Sequence, residues 1–201
     1  MVIGIPTGYR PHKAADCVRA WKDAGVAVWV YTWDTATRQQ VAPLADRVLT
    51  GPYTSFAVNH NRLAASGDWT IYICGADDLF PLNGINRLAD WAENHPGKVF
   101  WVDDTLFNAL PTHPVLTRAW YDRYQSIFDE RFSHNWVDND FKLRTEQQQE
   151  LIRIPCSAVA FDHRHPLKTG EPFDPVYRRG ARTFSDDKHR FFEKWGAYGD
   201  T

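Results

Sequence analysis

Apolar residues in the first half of this chain fall into short dense runs separated by amphipathic stretches. Residues 2–6 and 26–33 are near-continuous apolar runs, the pattern of strands buried on both faces. Between them Ala14, Cys17, Val18 and Trp21 recur at helical spacing and predict a helix over 13–24, which Gly25 ends. This is a β-α-β unit, which implies parallel strands and a right-handed crossover. A third run, residues 69–74, is broken only by Thr70 and predicts another buried strand. Gly75 and Ala76 lead out of it into Asp77-Asp78, and Pro81 stops the strand and suits a helix start.

The remaining pattern fills in around these runs. It predicts a short helix over 38–45, a short strand over 47–49 and a helix over 55–66. An amphipathic helix over 83–94 turns Ile85, Leu88, Ala89 and Ala92 inward, and a strand over 99–102 leads into Asp103-Asp104. The alternation then loosens. Residues 107–110 suggest an antiparallel edge strand, 117–124 a helix, and 138–151 a helix with Asp138 as N-cap. Residues 152–160 form a strand-like run interrupted by Pro155. From Phe161 onward the chain is polar and rich in His, Arg and Pro, which predicts a long wrapping tail with one short helix near 187–195. The expected class is α/β, a Rossmann-like and mostly parallel sheet flanked by helices.

Length and charge narrow this reading. The chain has 201 residues, enough for one sizeable domain and hardly enough for two. The formal net charge of −2 argues against unassisted nucleic-acid binding, although Arg178, Arg179 and Arg182 form a local basic patch. Nine Trp, eight Tyr and twelve Phe make the chain unusually aromatic; core filling takes most of them, and a surplus suits a site for sugars or bases. Three widely spaced cysteines, Cys17, Cys74 and Cys156, read as reduced thiols of a cytosolic protein. No signal-like start and no window of apolar residues long enough to span a bilayer occurs, so the expected location is cytoplasmic, without a transmembrane segment.

The chemistry centres on Asp77 and Asp78. At the carboxyl end of a central strand they stand where open α/β sheets bind ligands. Adjacent carboxylates repel unless a cation or donor group lies between them, and oxygen ligands beside a phosphate suit Mg²⁺ or Mn²⁺. Asp34 ends the second strand on the same edge. Neither a P-loop nor a GxGxxG pattern occurs.

Four pieces stand in one order: the β-α-β unit ending in Asp34; the helix with Asn59-His60-Asn61-Arg62 and Gly67-Asp68, feeding the strand to Ala76-Asp77-Asp78; Val137-Asp138-Asn139-Asp140 opening a later helix; and His163-Arg164-His165-Pro166. This order resembles the GT-A glycosyltransferases, in particular their family 2-like branch, over residues 2–166. The resemblance implies a nucleotide-diphospho-sugar transferase fold. Its donor-binding half is 1–105 and its acceptor half 106–160, with 161–201 wrapping around them. It implies base contact by Asp34, ribose or sugar contact by Asp77, and further nucleotide-sugar contacts by Thr7, Tyr9, Arg10, Asn59 and Arg62. A Mn²⁺ or Mg²⁺ ion would be held by Asp78 with His163 or His165. Asp138 stands where the family has its catalytic base, with Asp140 in reserve. Leu79 stands where a third acid is common, which implies modest metal affinity, and Val137 replaces the usual Glu before the base.

The implied activity is metal-dependent, inverting transfer of a sugar from a UDP- or GDP-sugar to a hydroxyl. The acceptor class stays open between a glycan, a small molecule and a hydroxylated DNA base, the last placing the protein in a phage-infected host cell. Two other readings compete. A sugar-phosphate nucleotidyltransferase shares the sheet plan but needs a Gly-rich phosphate loop, of which residues 4–10 are a poor version. A non-catalytic module would bind glycan or nucleic acid through the Arg-bearing tail.

Overall fold

The computed structural model describes residues 1–106 and 109–196. A seven-stranded sheet has the order β3-β2-β1-β4-β7-β6-β8. Its strands are β1 (Val2–Thr7), β2 (Ala27–Thr32), β3 (Arg47–Thr50), β4 (Ile71–Cys74), β6 (Val99–Trp101), β7 (Val115–Thr117) and β8 (Leu151–Arg153). The pairs β1–β2, β2–β3, β1–β4 and β6–β8 are parallel; β7 runs antiparallel to both its neighbours. A second, two-stranded antiparallel sheet pairs β5 (Leu79–Asn83) with β9 (Ala160–His163).

Strand alternation divides the core between the faces of the sheet. Ile3, Ile5, Ile71 and Ile73 pack on one side with Trp21, Val28 and Val30. Val2, Tyr72 and Cys74 pack on the other with Trp29, Tyr31 and Leu116. Helix α1 (Pro11–Asp23) buries the stripe of Ala14, Cys17, Val18 and Trp21 that its sequence spacing predicts. Asp34 caps α2 (Thr35–Val41) by accepting from Thr37 N, and Ser55 caps α3 (Phe56–Ala65) by accepting from Val58 N. The predicted helix over 83–94 is a 3₁₀ turn, Ile85–Arg87, running into α4 (Leu88–Asn94).

Four expectations need correction. Pro81 does not open a helix; it lies within β5, a strand short of partners on one edge, where a residue without an N–H is tolerated. The antiparallel strand is β7, and α5 (Arg118–Tyr124) follows it directly with Thr117 as cap; the edge strand expected over 107–110 falls partly outside the described residues. Asp138 is not the N-cap of α6 (Val137–Gln147): Trp136 takes that place in a left-handed conformation, which sets Asp138 in the first turn. Among the described residues of the tail, α9 (Phe184–Trp195) is the helix expected near 187–195, but α7 (Pro166–Thr169) and α8 (Pro175–Arg182) precede it, because Pro166, Pro175 and the capping Asp174 start helices that a periodicity reading missed.

Candidate active site

The strand order reverses between β1 and β4, so a crevice opens at their carboxyl ends. It widens into a cleft of about 1140 Å³ whose walls come from the β1–α1 loop, the β4–β5 turn, the start of α6, the end of β9 and α8. Of the residues singled out by sequence, Thr7, Tyr9, Arg10, Asn59, Asp77, Asp78, Asp138, His163 and His165 all line it.

Asp77 and Asp78 are buried at the cleft floor. Asp77 accepts from the Thr7 hydroxyl at 2.6 Å and from the Arg10 guanidinium at 2.8 Å. Burial raises its pKa, with repulsion from Asp78 adding to this and the Arg10 charge opposing it. Asp78 goes the other way. Burial works against its charge, but the facing His163 and the Tyr177 hydroxyl outweigh that, and its pKa falls below the usual carboxylate range.

The missed strand β5 explains how His163 arrives. Leu79 pairs with His163 across the small sheet, and Arg164 N donates to the Asp78 carbonyl at 2.7 Å. His163 Nε2 lies 3.6 Å from Asp78 Oδ2, and its Nδ1 is 2.9 Å from Asp104 Oδ2. Burial disfavours the imidazolium, yet the bonds to Asp104 and Asp78 raise its pKa to about 9. A carboxylate and an imidazole nitrogen at this separation fit two ligands of one divalent cation. Asp104 would orient the ring as the outer partner of a metal-bound histidine. His165 is turned differently: its Nδ1 accepts from Leu167 N at 3.1 Å and caps α7, and burial pulls its pKa down to about 4.

Asp138 lines the same cleft, from the first turn of α6. Burial raises its pKa despite the bond it accepts from Asn139 N. A carboxylate made more basic by its surroundings beside a cleft suits proton abstraction. Asp140 faces away, with Lys194 at 2.5 Å and Trp195 Nε1 at 2.7 Å, and does not line the cleft. Arg62 also lies outside it, donating to the Tyr31 hydroxyl at 3.1 Å. Asp34 does not line the cleft either; it accepts from Tyr9 N at 2.7 Å and so holds the β1–α1 loop, whose Tyr9 has φ of 64°.

Several cleft residues escaped the sequence reading. Trp33 and Tyr53 pack edge to face with centroids 4.8 Å apart, Tyr9 packs on Trp33, and Arg179 sits over Tyr53. Asn59, which the sequence reading did include, is fully buried at the cleft wall and leaves its side-chain N–H₂ without a partner. Tyr177 reaches Asp78 from α8 and stacks under Arg10, which also pairs with Asp174 at 2.6 Å. The aromatic surplus pointed towards Trp33 and Tyr53, and the basic patch towards Arg179; for Tyr177 and Asp174 no local signal existed.

No family model and no curated protein matches this sequence. Solved structures do match. Two structures of Staphylococcus aureus TarS, a GT-A glycosyltransferase, superpose with TM-scores of 0.63 and 0.66 at 9% and 11% identity. They cover 98% and 99% of this chain, and 73% and 44% of theirs. CMP:2-keto-3-deoxy-manno-octonic acid synthetase complexed with CTP superposes with a TM-score of 0.55 at 14% identity, over 91% of this chain and 99% of that one. The fold is the GT-A fold. The structural neighbours are transferases, one group moving glycosyl and the other nucleotidyl groups. Among the described residues no helix is long and apolar enough to cross a membrane.

Proposed function

We propose that this chain is a metal-dependent glycosyltransferase that moves a sugar from a nucleoside-diphosphate sugar, of the UDP or GDP class, to a hydroxyl acceptor with inversion. The observation that carries this reading is the meeting of Asp78 with His163, in one cleft with a half-buried Asp138. Tyr9, Trp33 and Tyr53 offer flat apolar surface for the base, and Asn59 offers an unpaired donor. Asp77, held by Thr7 and Arg10, presents its carboxylate to ribose or sugar hydroxyls. Asp78 and His163 would hold Mn²⁺ or Mg²⁺, which when bound supplies charge neutralisation for the departing diphosphate. Arg10 and Lys13 add fixed positive charge on the same side. Asp138 takes the proton of the acceptor hydroxyl, and attack from its side of the cleft inverts the anomeric carbon.

The test is incubation with Mn²⁺ and a panel of nucleotide sugars. Slow donor hydrolysis and a thermal shift are expected with one of them; no response to any, with or without metal, would overturn the reading. A second reading, sugar-phosphate nucleotidyl transfer, draws on the CTP-bound neighbour. Pyrophosphate release from a nucleoside triphosphate and a sugar phosphate distinguishes it.

A further inference from the structure

Behind the Asp78–His163 pair lies a second cluster. His113 comes from the segment before β7, Asp104 from the segment after β6, and His163 from β9. One ligand atom from each lies within 4.8 Å of the other two. All three side chains are buried, at 4%, 1% and 6% exposure. The two imidazoles meet edge to face with centroids 4.6 Å apart.

His113 is the informative member. Its Nδ1 lies 2.9 Å from the Cys74 carbonyl oxygen, which only accepts. Nδ1 therefore carries the proton, and Nε2 carries a lone pair. That Nε2 is buried with no hydrogen-bond partner. A core histidine kept for packing alone would not strand an acceptor in this way, since burial without a partner is costly. A backbone carbonyl on one ring nitrogen and an open lone pair on the other is how metal-bound histidines are held. Asp104 is fixed in turn by the Thr112 hydroxyl at 2.6 Å and by Leu106 N at 3.0 Å.

We propose that Asp104, His113 and His163 form a buried site for a borderline transition cation of the Zn²⁺ or Co²⁺ class. Two imidazoles and one carboxylate are the donor set such ions favour, whereas Mg²⁺ prefers oxygen and retained water. Three protein ligands leave the side facing the cleft for a water or a ligand oxygen. His163 ties this site to the Asp78 pair, because one ring nitrogen faces each carboxylate. A cation taking the nitrogen beside Asp104 leaves the proton on the nitrogen facing Asp78, so the two sites exclude each other.

The test is metal binding by the full chain without nucleotide or sugar, so its outcome is independent of the transferase reading. After chelator treatment, Co²⁺ titration is expected to give visible absorption bands of a nitrogen-ligated, low-coordinate ion, and Zn²⁺ to bleach them. His113→Gln is expected to weaken binding by roughly ten-fold or more. Absent bands in the parent or unchanged affinity in His113→Gln would overturn the proposal. Zn²⁺ titration of the unmodified protein, followed by imidazole nitrogen NMR, decides the matter should His113→Gln misfold. The His113 and His163 resonances are expected to move together; movement of His163 without His113 would overturn it.

Discussion

The Tyr177 hydroxyl donates to Asp78 Oδ2, joining α8 to the tip of the central strand. The same ring lies 4.0 Å below the Arg10 guanidinium, and Lys13 Nζ approaches its oxygen at 3.3 Å. A phenol therefore occupies the carboxylate oxygen that a cation at Asp78 would use.

Tyr177→Phe keeps the ring under Arg10 and removes that competitor. A hydrogen bond to a charged acceptor is worth about 1.5–3 kcal/mol, and part of this is lost to solvent at a half-buried phenol. Mn²⁺ affinity, read by calorimetry or paramagnetic resonance, is expected to rise about three- to ten-fold. Unchanged or weaker binding would show that the phenol supports the site rather than competing for it.

Asp138→Asn is expected to lower kcat by roughly 10²–10⁴-fold while the donor KM stays close to the parent value. The pH profile carries the sign. The base works ionised, and burial raises its pKa, so activity falls on the acid side at a pH above the ordinary aspartate value of about 3.9. A kcat/KM profile flat down to that value would exclude Asp138 as the base.

Asp140→Asn separates structure from chemistry. It removes the charge that pairs with Lys194 inside the α6–α9 contact. The expected cost is about 1–3 kcal/mol, allowing for the partial exposure of Lys194, and urea unfolding measures it. Turnover per folded molecule is expected to stay near the parent value; a loss matching Asp138→Asn would return Asp140 to the catalytic role.

Asp187, fully buried at the start of α9, accepts from the backbone N–H groups of Ser133, His134 and Asn135 and pairs with Arg190. Asp187→Ala strands those donors, with an expected loss of about 2–4 kcal/mol. Burial opposes the Asp187 charge, but its donors prevail and lower the pKa. Its contribution is thus complete above the unfolded value of about 3.9 and disappears as pH drops through the lower folded value. Acid titration of stability should show that decline in the parent and lack it in the variant.

The first half of the fold was legible because its strands are buried on both faces and its helices carry clean apolar stripes. Val28, Val30, Ile71 and Ile73 advertise themselves locally. The site was legible where chemistry sits next to a strand end, as with Asp77 and Asp78. It was illegible where partners meet from afar: Tyr177 is 99 residues from Asp78, and His163 is 59 from Asp104. Pro81 misled because a proline speaks against strands in general, whereas β5 needs few of its N–H groups. Arg62 and Asp140 had the right neighbours in sequence, but the helical turn points them away from the cleft.

The loop at 133–136 bears on α9 through Asp187, while Trp136, two residues before Asp138, packs against Phe184, Phe191 and Phe192. The wall that carries Asp138 is thereby braced by a helix distant from it in the chain, α9. Severing α9 would therefore spare the parallel strands β1 to β4 and slacken only the rim bearing Asp138, so scaffold and rim are anchored separately.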